Sequence, residues 1–452
     1  MILVQNHHLP LNGNKITFIL VVMCLLVVSC KPKQKLVNDR STRVITNNTT
    51  KAKSKVDTIQ WTEEILVNEI SKMTDQPVEL KDQYKIALFI PFNTGNYNSN
   101  DFVKQGSSEI RFANYYNGIK MALENLKQEG ANFYVNVFDS DSENFEAKLN
   151  QCTDYDVVIG PYSRNRLKTA ADFCKKNEIV NISPWQASSK ITSDNPFHVQ
   201  LRPNQTDYYE AILQDAITKY SAEQIFLLGR PDKTDRGRIG YFQKMASAMQ
   251  NLPKGQKPLN EYSIELDSLD NEALTYDNIF IDGDVSVFIL PQWSSEDEGF
   301  LYDCLRKLAI EKTNHSVVVY GMPIMIDSDR ISFDYFQNLN IKVARAKWVD
   351  RTDPKVQSFR SSYFQRFNAL PVSDALDGYD MMLYIGRNLI KDGKTFQFTL
   401  DQDRERYLQT AFDVQKVMQE GEERLDNFNN INYFQNRQLD IISFERDRLI
   451  RN

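Results

Sequence analysis

Short apolar runs rich in β-branched residues recur along this chain, each closed by turn residues and followed by a stretch with helical spacing. Val157-Val158-Ile159 stops at Gly160-Pro161-Tyr162-Ser163, a helical run carries Ala170, Ala171 and Phe173, and Ile179-Val180-Asn181-Ile182-Ser183 stops at Pro184. An apolar run ending in Gly-Pro reads as a buried strand halted by turn chemistry. With the helix and the second run it makes a βαβ unit. The same logic predicts strands at 85–92, 134–139, 224–229, 284–291, 316–321 and 439–444, and helices at 115–126, 211–220 and 359–367. Strands alternating with helices predict a parallel sheet. The first βαβ unit sets residues 160–166 beside 183–189, and open α/β sheets bind ligands at the carboxyl ends of their strands.

The front of the chain points to a compartment. Residues 16–28 are apolar but for Thr17, with Lys15 before them. At ~13 residues the run is too short for a membrane-spanning helix, which needs about 20, and it suits a secretory signal. It ends Leu26-Val27-Val28-Ser29-Cys30, which resembles a bacterial lipobox. The resemblance implies a signal over 1–29 and lipidation of Cys30. Acyl chains contribute about 0.8 kcal/mol per buried methylene, so two or more anchor a protein stably. Lys31, where an aspartate would imply the inner membrane, implies the outer membrane, and the basic stretch 31–35 implies its periplasmic face. Residues 30–58 have no apolar periodicity and cannot offset the entropy of ordering, so a flexible tether is expected. Residues 59–84 are expected to hold an amphipathic helix, on Ile65, Leu66, Val67, Ile70 and Met73, and a linker.

Charged residues make up 25% of the chain, as in an ordinary packed body, and the net charge of −6 is mild. With no basic stripe interleaved with aromatics, nothing points to nucleic acid. Cys152, Cys174 and Cys304 follow the signal and Cys30. An odd number leaves at least one free thiol: Cys152 and Cys174 either pair across the βαβ unit or are buried thiols. Beyond the signal only His198 and His315 remain, which excludes a His-rich metal site. His198 is expected to be structural. Asp139, Asp141 and Glu143 imitate a carboxylate pair but read as a solvated loop after a strand, as do Asp282 and Asp284. No Gly-x-Ser-x-Gly elbow, P-loop or Gly-x-Gly-x-x-Gly occurs, so no catalytic residue, cofactor or metal is assigned.

The Gly-Pro-x-Ser turn at Gly160, the helix after it and the Ile182-Ser183-Pro184 strand end together resemble the first lobe of type I periplasmic binding proteins, the branched-chain amino-acid-binding family, here as a lipoprotein of the Bacteroidetes type. Gly378-Tyr379-Asp380 resembles a later helix of that family. The resemblance, spanning residues 85–451, implies an α/β fold of two Rossmann-like lobes joined by a three-strand hinge. Crossings are expected near Pro203, near 322–326 and near 429–433, giving lobe 1 as 85–203 plus 326–430 and lobe 2 as 204–325 plus 431–452. The resemblance also implies a cleft lined by Ser163, Arg164, Trp185, Ser188 and Ser189, with Asn204, Arg238 and Trp293 as further candidates.

Departures from the family matter. Arg164 stands where the amino-acid binders use a serine, and Trp185 and Gln186 where they use small residues. Asn204 replaces an aspartate, and Gly321-Met322-Pro323-Ile324 supplies no carboxylate for an ammonium. A buried ammonium without a partner costs several kcal/mol, so amino acids are expected to bind poorly. Arg164, Arg166, Arg202, Arg230, Arg236 and Arg238 fall on loops at the cleft. They suit a small anionic ligand or an acidic partner segment; paired with Asp207, Asp232 and Asp235 they are ordinary loop charges. Trp185 and Trp293 either stack on a ligand or plug the cleft. The expected function is that of a non-catalytic outer-membrane lipoprotein: a ligand sensor, cell-envelope regulator or subunit of an envelope protein complex. The alternative is a solute-binding protein of an ABC transporter, for an amino acid or a small anionic ligand.

Overall fold

The structure is a computed structural model that describes residues 80–96, 108–253, 255–264, 279–402, 404–419 and 430–452. The expected signal, Cys30, the tether and the helix expected within 59–84 lie outside the described residues. Among the described residues no helix is long and apolar enough to cross a membrane.

The first sheet begins with β1 (Tyr84–Ile90), β2 (Phe133–Asp139), β3 (Val157–Ile159), β4 (Val180–Ser183) and β5 (His198–Gln200). The second begins with β6 (Ile225–Gly229), β7 (Asn260–Ser263), β8 (Val285–Leu290), β9 (Ser316–Gly321) and β10 (Ile341–Arg345). A ribbon, β11 (Glu405–Arg406) and β12 (Ala411–Phe412), precedes β13 (Val414–Met418), β14 (Ile431–Asn436), β15 (Asp440–Glu445) and β16 (Arg448–Arg451). The helices are α1 (Ser108–Gln128), α2 (Phe145–Leu149), α3 (Arg164–Asn177), α4 (Gln205–Lys219), α5 (Lys233–Met249), α6 (Glu298–Glu311), α7 (Ile324–Asp327), α8 (Phe333–Asn338), α9 (Pro354–Phe367) and α10 (Ser373–Asp392).

Each sheet has seven strands, in the orders β13-β14-β5-β4-β3-β1-β2 and β16-β15-β10-β9-β8-β6-β7. The β1–β5 and β6–β10 runs are parallel throughout, with the same winding. Antiparallel strands enter at one end of each: β13 on β14, and β15 on β10 and β16. Alternation on β1 shows why its run is apolar throughout. Ile86, Leu88 and Ile90 pack under α1 and α10, while Ala87 and Phe89 face a cluster with Phe145, Leu149 and Cys174. A strand covered on both faces carries no polar face. Cys152 and Cys174 are free, buried thiols, and Cys304 is buried.

The chain passes between sheets after β5, after β10 and after β14. The last two passages correct the expected boundaries. β10 belongs to the second sheet, so that crossing lies beyond Arg345 and not at 322–326. β14 pairs in parallel with β5 of the first sheet, so the last crossing follows Asn436 and not 429–433. Asn204, the N-cap of α4, ties the first crossing to the last. Gln200 Nε2 donates to Asn204 Oδ1 at 3.2 Å, and Asn204 Nδ2 donates to Gln435 Oε1 at 2.8 Å. Gln435 Nε2 and the Asn204 backbone N–H both donate to the Asp207 carboxylate.

Candidate functional site

In doubly wound sheets the ligand crevice opens where the strand order reverses. In the first lobe that is the junction of β1 and β3, at Gly160. Gly160 has φ +87°, a backbone conformation that glycine adopts without strain. A Cβ there would collide with the Phe89 carbonyl and approach Trp185 Cζ3 to 3.3 Å. Trp185 fills this corner. Its ring centroid lies 5.4 Å from Phe112, 4.9 Å from Tyr115 and 5.9 Å from Tyr162.

The polar residues of this loop are tied to one another. Gln186 Nε2 donates to the Tyr162 carbonyl at 2.7 Å, and the Ser188 backbone N–H to Gln200 Oε1 at 2.9 Å. Arg164 Nη2 donates to Ser188 Oγ at 3.3 Å, so the structure joins those two candidates. Ser163 starts α3 without a side-chain cap bond, and Ser189 is exposed. Arg166 donates to the Ser140 carbonyl and to Asp141. Asp139 accepts from the backbone N–H groups of Thr94 at 2.7 Å and Phe92 at 3.2 Å, which makes it a brace for the loop after β1. His198 is buried against Asn181 Oδ1 at 2.8 Å, and burial pushes its pKa down to about 4.

The second lobe reverses between β6 and β8, and charge fills that crevice. Arg230 Nε donates to Asp235 Oδ2 at 2.8 Å, and its Nη2 donates to Asp297. Arg238 donates to Asp235 Oδ1 at 2.6 Å and to Asp297 Oδ2 at 3.2 Å. Gln292 Nε2 adds a bond to Asp235 Oδ2 at 3.0 Å. Burial pushes the Asp297 carboxyl up, but Arg230, Ser294 and Arg238 outweigh it and hold it at about 2. Two guanidinium groups and two carboxylates thus neutralise one another, and Arg238 offers no spare charge. Trp293 is half exposed beside them.

A cavity of about 340 Å³ remains at the hinge. Trp185, Arg202, Tyr208, Asp327, Arg345 and Lys347 line it. Arg202 donates to the Pro184 carbonyl at 3.3 Å and lies 3.8 Å from Asp377, which also pairs with Lys347. Arg345 pairs with Asp327 at 3.1 Å. Residues 321–324 carry no carboxylate; three residues further on, the short helix α7 brings Asp327 to the cavity wall, already paired with Arg345. Asp327, Arg345, Lys347 and Asp377 were not singled out as candidates. The signal for Asp377 was its place one residue before Gly378-Tyr379-Asp380.

Residues 114–253 match the family described as receptor family ligand binding region. A protein from Rhodospirillum rubrum, described as a branched-chain amino acid ABC transporter, superposes with a TM-score of 0.53 at 14% identity, over 82% of this chain and 100% of its own. The fold is that of a two-lobe type I periplasmic binding protein. LpoA from Haemophilus influenzae matches with a TM-score of 0.53 at 12% identity, over 84% of this chain and 60% of its own. Its C-domain, described as a regulator of PBP1A, aligns with a TM-score of 0.49 at 12% identity, over 81% of this chain and 99% of its own. No curated protein matches significantly.

Proposed function

We propose that this chain is a non-catalytic envelope protein, held by a lipidated Cys30 at the periplasmic face of the outer membrane, whose binding-protein body works as a sensor, a regulator or a subunit of a protein complex. One observation carries the reading. The corner of each lobe where the strand order reverses is occupied by the chain itself, with rings around Trp185 in one lobe and the Arg230–Asp235–Arg238–Asp297 network in the other. A carrier needs an open crevice and an unspent carboxylate for the amine. LpoA, described as a regulator of PBP1A, supports the view that this architecture serves regulation as well as transport. Isothermal titration with a panel of amino acids is expected to give no heat above background. Micromolar binding of leucine would return the protein to the transporter class. Crosslinking and recovery from native membranes is expected to yield an envelope protein; recovery of a permease alone would overturn the proposal.

The hinge cavity supports a second reading. Arg202 borders a space that suits a small anion and has only a distant carboxylate at 3.8 Å, while Arg345 and Lys347 beside it are paired with Asp327 and Asp377. Titration with small dicarboxylates tests it, and Arg202→Gln is expected to abolish any binding seen.

A further inference from the structure

A second, larger groove of about 1260 Å³ runs along the flank of the hinge. First-lobe segments around Trp348–Thr352, Arg360 and Val372 form one wall, and Phe333, Phe444 and β16 of the second lobe form the other. Its lining carries six Lys and Arg side chains against two Asp, in a chain whose net charge is −6. Arg345 and Lys347 are spent on Asp327 and Asp377. Among the described residues no ion pair joins Arg351, Arg360, Arg448 or Arg451 to a carboxylate, although Arg448 and Arg451 act electrostatically on Asp350 in the same lining and Arg451 lies over the Trp348 ring at 5.6 Å. Such a field concentrates anionic partners.

The backbone adds a second feature. Among the described residues β16 is the terminal strand of its sheet, paired with β15 on one side only. Successive side chains of a strand point to opposite faces. All four β16 residues, Arg448, Leu449, Ile450 and Arg451, nevertheless line the groove, so the groove meets the strand edge-on. An unpaired edge is a template for a further strand.

We infer that this groove docks an extended, acidic segment of a protein partner, added as a strand on β16 with its carboxylates on Arg448, Arg451, Arg351 and Arg360. The inference rests on the proposed role as regulator or complex subunit and names the chemistry of the partner. Because the groove draws on both lobes, the docked segment bridges them.

The test uses the full chain and a fluorescent Glu-Val peptide of about ten residues, written as Glu-Glu-Val-Val repeats so that carboxylates fall on both faces of the added strand, long enough to run the edge. Its anisotropy is expected to rise on titration, with affinity falling steeply as salt increases. R448E/R451E and R351E/R360E are each expected to weaken binding by about tenfold or more. K168E/K176E, on the exposed side of α3, is expected to leave it unchanged. A Lys-Val peptide, or the Glu-Val peptide methylated on alternate backbone nitrogens, is expected not to bind. Equal binding by the groove variants or by the methylated peptide overturns the inference. So does preferential binding of vesicles of equal phosphatidylglycerol and phosphatidylcholine that the peptide fails to displace. Crosslinking in native membranes separates the two proposals. If the wild type and R448E/R451E capture the same envelope protein equally, the groove is wrong and the regulatory reading stands. If neither captures one, the regulatory reading falls, and the peptide titration alone decides the groove.

Discussion

The indole of Trp185 lies against Gly160, closing the corner where the first lobe of this fold receives a ligand. The ring belongs to the protein's own packing, with Phe112 and Tyr115 as neighbours. Trp185→Ala is expected to cost about 3 kcal/mol, since truncating a packed indole removes its contacts and leaves a cavity. Gly160→Ala is expected to cost at least as much, because its Cβ meets the Phe89 carbonyl in a left-handed backbone. Urea unfolding checks both; a change under about 0.5 kcal/mol would show that the ring is not packed as described.

Gly118 on α1 and Gly378 on α10 let the two helices cross backbone to backbone. A Cβ on Gly378 would strike the Tyr115 carbonyl, and one on Gly118 the Ala375 carbonyl. Gly378→Ala is therefore expected to lower stability by about 3 kcal/mol, read as a lower urea midpoint with an unchanged slope. That cost arises although alanine is the better helix former.

Asp235 is fully buried between Arg230 and Arg238. Asp235→Asn is expected to destabilise by about 3–5 kcal/mol, because it leaves buried guanidinium charge uncompensated. Removing one of those charges as well, in D235N/R238M, is expected to restore part of the loss. A double-mutant cycle by thermal denaturation measures the coupling, and additive losses would contradict the network.

Burial pushes the Asp207 carboxyl up to about 6. A carboxyl with a raised folded pKa adds stability that is complete below its unfolded value and lost as pH rises through the folded one. The wild type is thus expected to lose stability relative to D207N between about pH 4 and 6, by on the order of 2 kcal/mol. Burial likewise pushes Asp380 up to about 7, with the same sign, which is why the comparison is made at a single position. Chemical denaturation across that range is the measurement, and a flat difference would refute the assignment.

The parallel strands were legible because strands covered on both faces are written as apolar runs. β7, β10 and β14 were not, and their polar residues explain it. Lys342 interrupts the apolar pattern of β10, yet its ammonium is sheltered over the rings of Tyr320 at 5.5 Å and Tyr220 at 5.9 Å. Gln435 and Asn436 make β14 read as a loop, but both are buried and spend their amides on the crossings. Misreading β10 and β14 moved two crossings. At the site, Arg238 was visible in sequence as a cation near a strand end, but its partner Asp297 is 59 residues away, and only the fold brings them together. Asp327 escaped because a helical turn, not the strand end itself, carries it back.

Arg345 and Lys347 border both the hinge cavity and the flanking groove. Both are held by carboxylates, Asp327 and Asp377, so the two spaces are separated by the same pair of occupied side chains. Anything in the hinge cavity that shifted either ion pair would be felt at the groove on the other side of the same side chain, and that influence would run equally in both directions.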